Sequence, residues 1–176
     1  MGIIKQHPKV KIFAAITVTD VKQLPNVLNK MAPTFGNIDS RSDWFNVDSF
    51  TQYYQNEMGK ELQKVFVSFT DLTIADYLPW LKLSTNILED KFRQKQNRTV
   101  NIDPGYLTEA KVVLATTKDF SHRLYLGQGI FGDLHLVFRD ASYRSQELTY
   151  PDYRQKLAIS FFNQLRPLYK QQITKS

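Results

Sequence analysis

Apolar and polar positions change period several times along the chain, and each change marks an element. Residues 9–18, KVKIFAAITV, form a short β-rich run that predicts a buried strand. Asp20, with Gln23 three residues on, has the spacing of a helix-capping box. Leu24, Leu28, Met31 and Phe35 then recur at helical spacing, and Gly36 supplies a stop. Pro25 and Pro33 make that helix short or irregular. The stretch 38–47, IDSRSDWFNV, reads as a second strand near a sheet edge, and 48–59, DSFTQYYQNEMG, as a short helix ending at Gly59. In 65–69, VFVSF, the residues Val65, Val67 and Phe69 share one face. A further helix follows from Thr73, with the stripe Ile74, Leu78, Leu81, Thr85, Leu88 and Phe92 and a bend expected at Pro79.

The last third alternates with period two. In 99–106, TVNIDPGY, Val100 and Ile102 share a face, with Asn101 and Asp103 opposite. Asp103-Pro104-Gly105 reads as a β-turn, since proline fixes φ and glycine allows positive φ. A strand over 111–117 precedes a hairpin built around Gly127 and Gly129. A long helix then starts at 149-TYPDYR-154, where Thr149 and Asp152 have capping-box spacing; Leu157, Phe161, Leu165 and Leu168 supply its buried stripe. The order predicts an α+β fold: a ferredoxin-like sandwich of two tandem βαβ halves, with an added C-terminal β-hairpin and a closing helix. No linker or composition shift divides the chain, so residues 1–176 read as a single domain.

Composition narrows the chemistry. The chain is 42% hydrophobic and 13% aromatic, enough to bury a core, and has no cysteine. That excludes disulfides, thiolate metal sites and a cysteine nucleophile. The apolar run near the N-terminus is too short for a signal peptide, and no segment approaches the roughly 20 apolar residues of a membrane span. A soluble, cytoplasmic protein without a membrane partner is the expectation. The net charge of +6 suits an anionic partner. The cations cluster at Lys91, Arg93, Lys95 and Arg98, and again along the last helix.

Gly127-Gln-Gly129-Ile-Phe-Gly132 spells GxGxxG, but the residues after it alternate like a strand, whereas a dinucleotide site needs a helix there. A protein-kinase glycine loop is strand-turn-strand, but the other kinase motifs are absent, as is any GxxxxGK[ST] loop. A tight, twisted β-turn is the simpler use of these glycines. Metal binding is not indicated: His7, His122 and His135 have no ligand spacing. The sequence names no cofactor.

If Leu126 faces Leu134 across the hairpin, Arg123, Tyr125, His135 and Arg139 share the opposite face and form an anion-recognition surface. Lys118 adds a point charge from the preceding loop. Asp103 and Asp119 either neutralise the arginines or orient His122 as a general base, which makes His122 and Asp103 the candidate catalytic pair. These residues point to an anionic small molecule, a nucleotide or phosphorylated metabolite. A nucleic-acid module and a protein-interaction module using the last helix are the alternatives. The sequence does not fix the oligomeric state.

The blocks 101-NIDPGYLTEAKVVLATTKDFSHRLYLGQGI-130, 149-TYPDYR-154 and 53-YYQNEMG-59 resemble a bacterial family, domain-of-unknown-function family 4416, in the same order and over nearly the whole chain. The resemblance implies no particular activity. Some members carry the label GTP-binding protein, for which this chain has no phosphate-loop motif. The family-like blocks hold Asp103, Lys111, Lys118, Asp119, His122, Arg123 and Asp152.

Overall fold

Strand β1, Val10–Val18, is buried along its whole length, which only a central position in a sheet covered on both faces allows. The computed structural model describes residues 2–175. Its elements follow as α1 (Leu24–Phe35), β2 (Ile38–Arg41), β3 (Phe45–Asn46), α2 (Gln55–Met58), β4 (Gln63–Thr73), α3 (Leu78–Asp90), β5 (Val100–Leu107), β6 (Lys111–Thr116), β7 (Arg123–Gly127), β8 (Ile130–Arg139), β9 (Ser142–Ser145), α4 (Pro151–Arg154) and α5 (Lys156–Lys175). The α+β class expected from the sequence is the one adopted. One sheet runs β2-β4-β1-β5-β6-β8-β7, with β3 on β4 and β9 on β8. All its pairings are antiparallel. No helix among the described residues is long and apolar enough to cross a membrane.

Alternation along the strands divides the core between the two faces. Ile12, Ala14 and Ile16 of β1 meet Val27 and Met31 of α1 and Leu81 and Leu88 of α3. Phe13 and Ala15 point the other way, toward Tyr153, Phe161, Phe162 and Leu165 near the C-terminus. The stripe of α5 is therefore covered within the chain, which removes the premise for using that helix as an interface.

Several expected elements differ. Asp103-Pro104-Gly105 is strand, not turn: Pro104 lies opposite Ala14 of β1, and Gly105 opposite Leu114 of β6. A Cβ on Gly105 would sit 2.4 Å from Phe13 Cζ and 2.5 Å from the Val113 carbonyl, so glycine is there for close approach. The strand expected over 38–47 divides into β2 and β3. The C-terminal helix breaks at Gln155, whose ψ of 155° is extended. Thr149 does not cap it; its hydroxyl donates to the His135 carbonyl and accepts from the Gln146 amide.

The hairpin adopts a different register from the leucine-on-leucine one. Gly127, Gln128 and Gly129 all have positive φ, and Gly127 faces Ile130 to close the turn. That turn sets Arg123 opposite Asp133 and Tyr125 opposite Phe131. Between β6 and β8, Val113 faces Leu134 while Val112 faces Leu136, so His135 is an extra, bulged residue. The bulge reverses the alternation, and Arg139 leaves the sheet on the face opposite Arg123.

Candidate functional site

Strands β5 and β6 pair only over Gly105–Leu107 and Val112–Leu114. Alternate residues of a strand aim their amides the same way, and Ile102 N–H points away from β1. Pro104 therefore falls where β6 would need a donor, and it has none. Beyond it the two strands part. Helix α3 fills the gap with charge: Glu89 Oε1 accepts from Ile102 N–H at 2.8 Å, and Lys82 Nζ donates to the Ile102 carbonyl at 3.1 Å. Two side chains thus satisfy the backbone that a neighbouring strand would have paired.

Lys82 also donates to Asp103 Oδ1 at 2.8 Å, and Asn101 holds the other carboxylate oxygen at 2.8 Å. Arg98 donates from Nε and Nη2 to the two oxygens of Glu57, each at 2.7 Å, and from Nη1 to Glu89 at 2.7 Å. Burial would raise the Asp103 carboxyl, but the ammoniums of Lys82 and Lys64 outweigh it and hold the group below its ordinary value. Glu89 goes the other way, raised by burial against the pull of Lys82. Burial also pushes the Tyr54 phenol well above its ordinary value and that of Tyr150 up to about 12, so both hydroxyls stay neutral near pH 7.

Two adjoining cavities open here. One, of about 310 Å³, lies in the β5–β6 gap under Tyr53, Tyr54 and Glu57. The other, of about 300 Å³, is lined by Lys64, Lys118, Arg123 and Asp152. Tyr53, Tyr54, Lys118 and Tyr150 wall both. Lys64 is buried and donates to Asp152 at 2.6 Å. Arg123 donates to Asp133 at 2.8 Å, to the Lys118 carbonyl at 2.9 Å and to the Tyr150 hydroxyl at 2.7 Å. Lys118 sits over the Tyr53 ring, 3.8 Å from its centre.

Of the residues expected to bind the anion, Asp103, Lys118 and Arg123 line this pair of cavities, and Asp119, His122, Tyr125, His135 and Arg139 do not; Arg93 and Arg98 of the basic cluster and Asp152 of the 149–154 block line them too. The carboxylate that neutralises Arg123 is Asp133, not Asp103 or Asp119; Asp119 is exposed in the loop. His135 is fully buried, its Nδ1 donating to Asp133 at 2.9 Å. His122 Nε2 lies 3.2 Å from Asp133 without hydrogen-bond alignment, and His122 and Asp103 do not meet as an acid–base pair. Tyr125 is exposed on the hairpin, where its hydroxyl accepts from Gly129 N–H. Arg139 is exposed at the far end of β8. Within the 91–98 basic cluster, Arg98 turns inward and Arg93 pairs with Asp90, leaving Lys91 and Lys95 without ion pairs among the described residues.

Sequence reasoning missed Lys64, Lys82, Glu89, Tyr150 and Asp133. Two signals were available. Lys82 and Glu89, seven residues apart, fall on the apolar stripe of α3. Lys64 shares the face of Phe66 on a strand with a buried core. A charge on an apolar stripe requires a buried partner.

Residues 8–169 match the family described as Domain of unknown function (DUF4416), which agrees with the resemblance carried by the 101–130 block. No curated protein and no solved structure matches the chain. The match covers nearly the whole chain: this protein belongs to the DUF4416 family.

Proposed function

We propose that the chain binds a small molecule through an anionic group, a nucleotide or phosphorylated metabolite, in the cavity between Tyr54 and Tyr150. The observation that carries this reading is the convergence of three cations, Lys64, Lys118 and Arg123, on one cavity whose only lining carboxylate is Asp152. The cations keep donors in reserve. Lys64 uses one N–H, and Arg123 spends three of five. Asp133 and Tyr150 fix the guanidinium beforehand, so little side-chain freedom remains to be lost on binding. Each cavity is near the lower end of the roughly 300–1,000 Å³ usual for ligand sites, and the two share Tyr53, Tyr54, Lys118 and Tyr150 as walls.

This site is not the hairpin face expected from the sequence, although Lys118 and Arg123 belong to both. Binding is supported further than catalysis, because neither His122 nor His135 lines the cavity and the Lys64–Asp152 pair there is already joined to itself. The test is a thermal-shift screen against nucleotides and phosphosugars, repeated on Lys64→Met. Stabilisation of the parent that the variant loses supports the reading; no stabilisation, or equal stabilisation of both, overturns it.

A further inference from the structure

The cavity in the β5–β6 gap differs in character from the anion pocket it adjoins. Its charges are paired internally, three cations against four carboxylates: Lys82 with Asp103, Arg98 with Glu57 and Glu89, Arg93 with Asp90. Apart from Lys118, which it shares with the anion pocket, every cation lining the chamber is already paired, so it has no positive excess to offer a second anion. It is nonetheless crowded with fixed donors and acceptors. Asn86 and Thr117 also line it, and neither side chain has a hydrogen-bond partner among the described residues.

Two kinds of ligand group could fill such a space. A nucleobase is planar and gains most from stacking between parallel rings. The rings here do not offer that. Tyr53 and Tyr54 meet edge to face at 88°, and Tyr150 is turned edge-on to His135 at 70°. Hydroxyl groups on tetrahedral carbons have other needs: each donates once and accepts twice. Side-by-side carboxylate and cation pairs, with a free amide at Asn86, supply both partners at close spacing.

We infer that this chamber holds the hydroxylated carbon skeleton of the ligand, whose anionic group sits at Lys64, Lys118 and Arg123. The ligand class is then a sugar or polyol phosphate rather than a nucleotide. This rests on the anion-binding reading above and narrows it. Tyr53 and Tyr150, common to both cavities, would lie beside the link between the two parts of the ligand.

The experiment is isothermal titration calorimetry with inorganic phosphate, ribose 5-phosphate, glucose 6-phosphate and AMP, on the parent chain, Asn86→Leu and Lys118→Ala. Asn86 is half-buried on α3, and leucine of similar size favours the helix, so that variant is expected to fold. The expected result is at least one sugar phosphate binding tenfold or more tighter than both inorganic phosphate and AMP. Asn86→Leu should bring that sugar phosphate down to the level of inorganic phosphate and leave inorganic phosphate unchanged. AMP binding more tightly than both sugar phosphates, sugar phosphates no tighter than inorganic phosphate, or an unaffected Asn86→Leu overturns the chamber assignment alone. Failure of every probe to bind, or Lys118→Ala binding all four as the parent does, overturns the anion pocket and this inference with it.

Discussion

Lys11 and Lys64 are buried to nearly the same degree, at 0% and 3% exposure, yet they stand in opposite situations. Lys11 Nζ donates to Asp39 at 2.6 Å, to the Phe69 carbonyl at 2.9 Å and to Gln172 at 2.9 Å. Its three protons have three acceptors. Burial lowers its pKa, opposed by Asp39. Lys64 has one partner, Asp152, and lines a cavity. A buried charge with a complete set of partners ties elements together, here β1, β2 and α5. A buried charge with spare donors beside a void can receive a group the chain does not supply, as the proposed anion site requires.

The sharpest break in that comparison would come from removing each lysine in turn. Lys11→Met leaves Asp39 without its cation and is expected to cost roughly 3–5 kcal/mol in urea denaturation, with phosphate affinity unchanged at temperatures where the variant stays folded. Lys64→Met should cost less, about 1.5–3 kcal/mol, because one charge-assisted hydrogen bond is lost rather than three, and it should abolish ligand binding. Equal stability losses with ligand binding intact would erase the distinction.

The gap itself can be probed next. Gly105→Ala places a methyl group against Phe13 and the Val113 carbonyl where β5 and β6 are still paired. The backbone oxygen cannot yield easily, and a loss of about 3 kcal/mol is expected by thermal or chemical denaturation. A neutral result would mean that the two strands separate further along than Pro104.

Acid titration sets the scaffold beside the pocket apart from the pocket. Burial works against the charged form of Asp133, but hydrogen bonds from His135 and Arg123 hold its pKa at about 2, against an ordinary 3.8. Its contribution is fully present above about pH 4 and lost as pH falls toward 2. The difference corresponds to roughly 2 kcal/mol. Asp133→Asn should flatten stability over that window, measured as the denaturation midpoint against pH. An unchanged slope would show that other carboxylates carry the acid sensitivity. The smallest stability effect belongs to Lys118→Ala, an exposed site: within about 0.5 kcal/mol of the parent, while phosphate affinity falls about tenfold by calorimetry. A large loss of stability there would make Lys118 a structural residue after all.

Much of the fold was legible because local chemistry and tertiary environment agreed. The Asp20–Gln23 box forms as its spacing requires, Gly36 ends α1 at a φ of 82°, and Val65, Val67 and Phe69 enter one core together. The failures arose where the two disagreed. Asp103-Pro104-Gly105 has turn residues, but a proline fits a strand wherever the neighbour has withdrawn and no donor is needed. The hairpin register was judged from leucine burial, yet Leu124 and Leu126 remain exposed; the turn and the Arg123–Asp133 pair decide the alignment. The bulge at His135 has no local signature. Of the candidate site, Arg123, Lys118 and Asp103 were found from side-chain type. Their partners were not, because Lys64, Lys82 and Tyr150 come from distant segments that only the sheet order brings together.

The most direct test of the account is a crystal structure of the chain grown or soaked with an anomalously scattering tetrahedral oxyanion, such as tungstate. The account predicts an anion peak between Lys64, Lys118 and Arg123, with the Arg123–Asp133 pair intact. A map with no anion there, while Lys64 and Arg123 direct all their remaining donors to protein oxygens, would contradict it.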